Sequence, residues 1–247
     1  MSTTMGRLER DTVWEGDVHV IGDVLVAEGT TLTVRPGTRI RFAARPRWAC
    51  SVFWRSPSGD SVEATMRELC ALVVCGRLEI EGTKAEPVRI GGPGEPAWGG
   101  MTCFGRGEAR FRHTVLEGAP HFTVQTFDDA FAFGEDSCCV GSEFGLWAWG
   151  TSRLSWTRGT IAASRGSVVC CEGARAHLVE VEDESGEGVA ATDWSLIRVE
   201  RGCFRAPRKH CVVARHRSWV RLAGCRMMGE AEMDLVRLDD ARVEVAA

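Results

Sequence analysis

Residues 22–42 read GDVLVAEGTTLTVRPGTRIRF, and this stretch decides the fold. Apolar residues alternate with polar ones in runs of only three or four, and each run is stopped by a glycine or by the Pro36-Gly37 pair. A period of two is the mark of a strand with one face turned inward, and Gly or Pro-Gly marks a tight turn. The chain is therefore read as very short strands following one another directly, with Gly29, Gly37, Gly76 and Gly82 at the corners, where left-handed backbone carries little penalty for glycine.

Working outward, turn signals recur every few residues from Val18 to Ala247. Helical periodicity occurs once, in DSVEATMRELC over residues 60–70, where Val62, Met66, Leu69 and Cys70 share a face and Asp60 with Glu63 resembles a capping box. It belongs to an insertion, residues 43–70, that interrupts the strand pattern; ALVVCGRLEIEG then resumes it at residue 71. Beyond residue 108 the chain falls into rows of about 22 residues, a period typical of a solenoid. Rows open at Ala109, Ala130, Ser152, Ala174, Ser195, Ser218 and Ala241, and two positions on each places an apolar or small residue: Phe111, Ala132, Leu154, Ala176, Ile197, Val220 and Val243. Further strands such as LWAWG, SVVCCEG, VAATDW and HCVVARH close the rows. About three short strands per coil describe a parallel β-helix, each strand pairing with its equivalent one coil away.

The segments WEGDVHVIGDVLVAEGTTLTVRPGTRIRF (14–42), ALVVCGRLEIEGTKAEPVRI (71–90) and WGGMTCFGRGEARFRHTVLEGA (98–119) resemble the opening of right-handed parallel β-helix repeat proteins of the pectate-lyase-like superfold. The resemblance implies an all-β domain over residues 13–247, roughly eight to ten coils, preceded by an N-terminal extension of residues 1–12. On activity it is nearly silent, because this superfold hosts lyases, hydrolases, epimerases, adhesins and scaffolds. Polygalacturonase-like sites join an Asp pair to Gly-His-Gly and Arg-x-Lys; the pair is present as Asp128 and Asp129, the others are not. The Asp-Pro-His-Asp run of alginate-epimerase-like sites is missing too.

Composition narrows the partners. Thirty basic against 34 acidic residues give a formal charge of -4 without long runs of one sign, so no general attraction to nucleic acid is expected. No apolar run reaches the length of a membrane helix, and the amino terminus MSTTMGRLERDTVWEGD lacks an export signal. A cytoplasmic location is expected, with the eleven cysteines as free thiols. They form no Cys-x-x-Cys, and no Cys/His grouping has zinc-like spacing, so no metal and no cofactor are expected.

Two groups of residues bear on function. Trp147 and Trp149 alternate in LWAWG and so project from one face, and Trp194 ends the equivalent strand two coils later. Facing outward, they would stack on sugar rings or flat ligands; facing inward, they would fill the core. Stacking the ends of the third strands also brings Asp128/Asp129, Glu172, Asp193/Trp194, His216 and Asp239/Asp240 to one corner. Coils lie about 4.8 Å apart, so Glu172, Asp193 and His216 form one line. Carboxylates beside an imidazole suit acid/base chemistry, with Asp193 and His216 as the pair, Glu172 tuning them, and Arg215 or Arg237 holding an anionic group. The plain alternative is that turns are polar. His113 is read as an internal histidine, and His177 and His210 as lacking acidic neighbours at matching positions. The leading expectation is a β-helix protein that binds a small molecule, oligosaccharide or peptide in its lateral groove, as a lyase or isomerase. The alternative is a non-catalytic scaffold for a peptide or protein; the oligomeric state is left open.

Overall fold

Strands of three to five residues cannot stand alone, so each needs a partner above and below; stacking equivalent strands of successive coils supplies both. The computed structural model describes residues 2–44, 69–92, 94–95, 97–205, 211–228 and 235–246. Its architecture is a parallel β-solenoid of about nine turns, without a helix among the described residues.

In chain order the strands are β1 (Ser2–Leu8), β2 (Thr12–Trp14), β3 (Asp17–Val26), β4 (Thr31–Val34), β5 (Arg39–Phe42), β6 (Leu72–Val74), β7 (Arg77–Glu81) and β8 (Val88–Ile90). The middle of the stack holds β9 (Met101–Cys103), β10 (Glu108–Arg112), β11 (Thr114–Glu117), β12 (Phe122–Thr126), β13 (Phe131–Glu135), β14 (Cys138–Trp149), β15 (Arg153–Cys171) and β16 (Arg175–Asp183). It closes with β17 (Val189–Ala191), β18 (Leu196–Glu200), β19 (Cys203–Arg205), β20 (Val212–Ala214), β21 (Trp219–Ala223), β22 (Arg226–Met228), β23 (Leu235–Arg237) and β24 (Arg242–Ala246). All pairings are parallel and run in three ladders. The first passes from β4 through β7, β10, β13, β15, β16, β18 and β21 to β24. The second runs from β5 through β8, β11, β14, β15, β16 and β19 to β22. The third links β3, β6, β9, β12, β14, β15, β17, β20 and β23.

Two expectations need correction. Three separate strands per coil do not describe the middle of the stack: β15 takes part in all three ladders as one strand of 19 residues. Residues 2–8, read from sequence as part of an extension, form β1 and pair with β3 at the edge of the stack. The row at Ala109 also slips by two, since Ala109 pairs with Ala132 and Phe111 with Gly134. A slip of two keeps inward side chains inward, which is why the pattern survived it. The helical reading of residues 60–70 falls, up to Glu68, outside the described residues.

The interior is filled by columns. Ala132, Leu154, Ala176, Ile197 and Val220 stack in direct register and are all buried. In the next inward column Trp156 is fully buried and lies over Gly134, where an added Cβ would meet its ring at 2.3 Å. The ring reaches Phe111 at a centroid distance of 5.5 Å and donates its indole N–H to the Ser137 carbonyl at 2.9 Å.

The ten described cysteines form no disulfide. Burial pushes Cys103, Cys139 and Cys170 well above the ordinary thiol value, and Cys70 up to about 11. These thiols act as small apolar fillers and are poor nucleophiles. Of the ten described cysteines, titration with a thiol reagent should therefore find only the half-buried Cys75, Cys138 and Cys225 in the native protein, and all eleven cysteines of the chain after denaturation. A pair that stays protected in denaturant without reductant would refute this.

Candidate functional site

The turns that lead from the third ladder back to the first form one corner. Its two turn residues are Asp128-Asp129, Gly150-Thr151, Glu172-Gly173, Asp193-Trp194, His216-Arg217 and Asp239-Asp240 in successive coils. The first residue of each has positive φ, between 49 and 70°. In three coils the second residue also has positive φ, Gly173 (φ 92°), Trp194 (φ 59°) and Arg217 (φ 60°), and for the latter two this is uncommon because their side chains are bulky. The opposite corner repeats the device at His113, Asp136, Arg158, Glu180 and Arg201, so the conformation itself belongs to the architecture. His113 thus sits at a corner, 4.0 Å from Asp136, and not inside.

What distinguishes the first corner is polar contact along the stack. His216 Nδ1 lies 3.1 Å from Asp193 Oδ1, and His216 Nε2 lies 3.2 Å from Asp239 Oδ2. Thr192 Oγ1 is 3.1 Å from Asp193 Oδ2 and 3.2 Å from His216 Nδ1. Beside this line Trp194 is 68 % exposed, with the Arg217 guanidinium 6.0 Å from its ring centre. Arg217 also faces Asp240 at 3.6 Å.

The sequence line of Asp193 and His216 is thus brought together, and it continues to Asp239 rather than back to Glu172. The Glu172 carboxylate instead accepts the Trp149 indole N–H at 2.6 Å. Asp128 and Asp129 stay three coils from Asp193, where Thr151 Oγ1 meets Asp129 Oδ1 at 2.7 Å. Arg215 lies on the outer side of the same coil as His216, whereas Arg237 is in register with inward-facing Ala214. One position of strand alternation therefore separates the two arginines. Asp239 and Thr192 are the contributions that sequence reasoning left without a role, although the 23-residue step from 193 to 216 also leads to 239.

Trp147 and Trp149 face outward, since Leu146 and Ala148 between and beside them are buried. Trp147 packs edge-on to Phe144 at 4.8 Å within a second apolar cluster on the outer side of the third ladder, with Val73, Phe104 and Phe122. Its indole N–H is buried without an oxygen or nitrogen acceptor and faces the Cys171 thiol. Burial, above all, pushes that thiol up to about 12; the indole N–H opposes the rise, and Asp193 and Glu172 add to it. Trp194 stands apart from this pair, on the turn itself.

A cleft of about 300 Å³ opens on the same corner nearer the amino terminus, lined among others by Glu28, Thr31, Cys75, Arg77 and Arg106. It exists because one turn is shorter: residues 75–77 separate Val74 from Leu78, against 104–108 between their partners Cys103 and Ala109. Among the described residues no cluster of His, Cys, Asp and Glu has metal-binding geometry, and no helix is long and apolar enough to cross a membrane.

Comparison with known proteins adds the fold. A phage tailspike shares it. Tailspike protein 2 of Escherichia coli O157:H7 bacteriophage CAB120 superposes with a TM-score of 0.61 at 9 % identity, over 95 % of this chain. The chain spans only 38 % of that tailspike's length. No protein-family model and no curated protein sequence matches the chain.

Proposed function

We propose that the protein binds a polar ligand of sugar or sugar-acid type along this corner, and that it is a lyase or isomerase moving a proton through Asp193 and His216. The observation that carries the reading is the His216 ring bracketed by Asp193 and Asp239 beside the exposed Trp194. Asp193 accepts the Nδ1–H and fixes the ring, while Nε2 passes its proton to Asp239 as the ligand enters, and the lone pair so freed takes the ligand proton and later returns it. Trp194 offers a stacking surface, and Arg215, in the same coil as His216, an anionic anchor. Glu172 and Trp149 extend the binding line by two coils.

A second reading is a binding scaffold without chemistry. It is favoured by exposure: the side chains of Asp193, His216 and Asp239 are 41, 59 and 57 % accessible, whereas catalytic groups converge in concave, partly desolvated places. Titration of tryptophan fluorescence with neutral and acidic oligosaccharides decides. Trp149→Ala and Trp194→Ala should each weaken binding about tenfold, on the scale of a lost stacking contact, with little change in Tm. Where turnover is found, Asp193→Asn and His216→Ala should each lower it about a hundredfold or more, and the double change little further. Ligand binding without turnover, unchanged in both variants, would leave the scaffold reading in its place.

A further inference from the structure

The outer side of the first ladder divides into two halves that treat charge differently. In the N-terminal half every arginine has a glutamate. Arg35 pairs with Glu81 at 2.6 Å, Arg110 with Glu108 at 2.6 Å, Arg112 with Glu135 at 3.6 Å, and Arg77 with Glu79. In the C-terminal half Arg153, Arg175, Arg198, Arg221 and Arg242 face outward against only two glutamates, Glu200 and Glu244. Arg198 reaches Glu200 at 2.6 Å, and His177 shares that carboxylate at 3.0 Å, contrary to the expectation that His177 has no acidic neighbour. Arg153, Arg175, Arg221 and Arg242 are exposed and form no ion pair among the described residues.

Register makes this arrangement costly for the chain on its own. Arg153 stands directly opposite Arg175, and Arg198 opposite Arg221, which has Glu244 opposite it on its other side. Like charges opposite one another on adjacent strands are destabilising. The fold tolerates five arginines here in a chain whose net charge is -4. Leu196 and Trp219, the latter 37 % exposed, lie between Arg175 and Arg242 in the same outward column.

We propose that this half of the first ladder is a docking surface for an acidic face or segment of a partner protein. The surface is a sheet face, which suits the broad contact of another protein. Its arginines around a tryptophan are residue types enriched in interface hot spots, where an apolar centre is rimmed by groups that pair across the contact. Charge complementarity with the five arginines sets the sign of the partner. Glu200 and Glu244 stand within the patch and would repel a uniformly charged strand, but a partner of mixed charge can meet them. Trp219 is the one exposed aromatic of the patch, whereas single-stranded nucleic acid is held by a series of stacking side chains.

The test uses a fluorescein-labelled peptide of Glu-Gly-Leu-Glu repeats, with heparin and oligothymidylate of matched charge as competitors. The peptide should bind the full chain and be weakened by salt. Arg175→Glu and Arg221→Glu should each reduce its affinity about tenfold, and Trp219→Ala by a similar factor. Arg110→Glu, in the paired half, should leave it unchanged. Folding is controlled within the set: Arg175→Glu places a carboxylate beside Arg153, so its Tm should not fall. Absence of peptide binding at low salt, an equal effect of Arg110→Glu, or stronger binding of heparin or oligothymidylate that ignores Trp219→Ala would each overturn the proposal.

Discussion

Trp156→Ala is expected to lower the stability of the protein by about 3–5 kcal/mol, the range for emptying a buried aromatic site. The reason is that this ring fills the space of two coils. Gly134 stands opposite Trp156 in the inward column and contributes no side chain, and the indole occupies that vacancy as far as Phe111. Removing it opens a cavity that neither coil can close, because the ladder hydrogen bonds on both sides hold the strands at fixed spacing. It also strands the Ser137 carbonyl, now bonded to the indole N–H at 2.9 Å. In a solenoid each coil is stabilised only by its neighbours, so a weak layer in the middle loosens both halves. Urea unfolding of the two proteins measures the loss. Gly134→Ala should be damaging in the native background, where its Cβ would meet the ring at 2.3 Å, and should become stabilising in the Trp156→Ala background. That reversal of sign is the coupling expected of side chains sharing one space. A small loss for Trp156→Ala, or additive effects in the double variant, would mean that the ring does not fill the column.

The two neighbouring inward columns show what the sequence makes legible and what it hides. The row spacing was readable because Ala132, Leu154, Ala176, Ile197, Val220 and Val243 recur at near-constant intervals, and the structure pairs each with the next. That Gly134 leaves room for Trp156 could not be read, since it depends on side chains one coil apart filling each other's volume. The corner was legible for a similar reason: a step of 23 residues joins Asp193 to His216. The choice of partners within it was not. Glu172 turning to Trp149 and Asp239 to His216 are decided by rotamers, and Arg237 fell out of line through a single step of alternation. The basic half-face was invisible to a charge count over the whole chain, because it appears only when residues are sorted by column and side. Residues 2–8 were missed because STTMGRL is mostly small or polar and so gives no apolar alternation to read.

Asp183→Asn is expected to make the protein more stable at neutral pH, with the difference vanishing in acid. Asp183 sits in the inward column of the second ladder, between Ile161 and Phe204, and is 5 % exposed. Burial, above all, raises its pKa, the hydrogen bonds from Ser167 and Ser185 oppose the rise, and the charge of Glu184 adds to it. The hydrogen-bond geometry agrees. Ser167 Oγ lies 2.6 Å from Asp183 Oδ2 and 2.9 Å from the Gly188 carbonyl, and a hydroxyl has only one proton to give. A protonated Asp183 that donates to Ser167 Oγ lets Ser167 donate in turn to the Gly188 carbonyl, which also accepts the Ser167 N–H at 2.8 Å. Oδ1 meanwhile accepts the Ser185 N–H at 2.8 Å. A carboxyl whose folded pKa lies above its unfolded value gives stability that is complete below the unfolded value of about 3.9 and is lost as pH rises through the folded one. Each pH unit between the two is worth about 1.4 kcal/mol. Asparagine keeps both contacts, its NH2 donating to Ser167 Oγ and its carbonyl accepting from Ser185, and never ionises. Asp183→Ala should instead lose about 1–3 kcal/mol even in acid, because the Ser185 N–H is left buried and unpaired. Urea midpoints of the three proteins from acid to neutral pH measure this. An Asn variant that is weaker than the native protein at neutral pH and equal to it in acid would show an ionised Asp183 anchoring the turn, and would reverse the assignment of the proton.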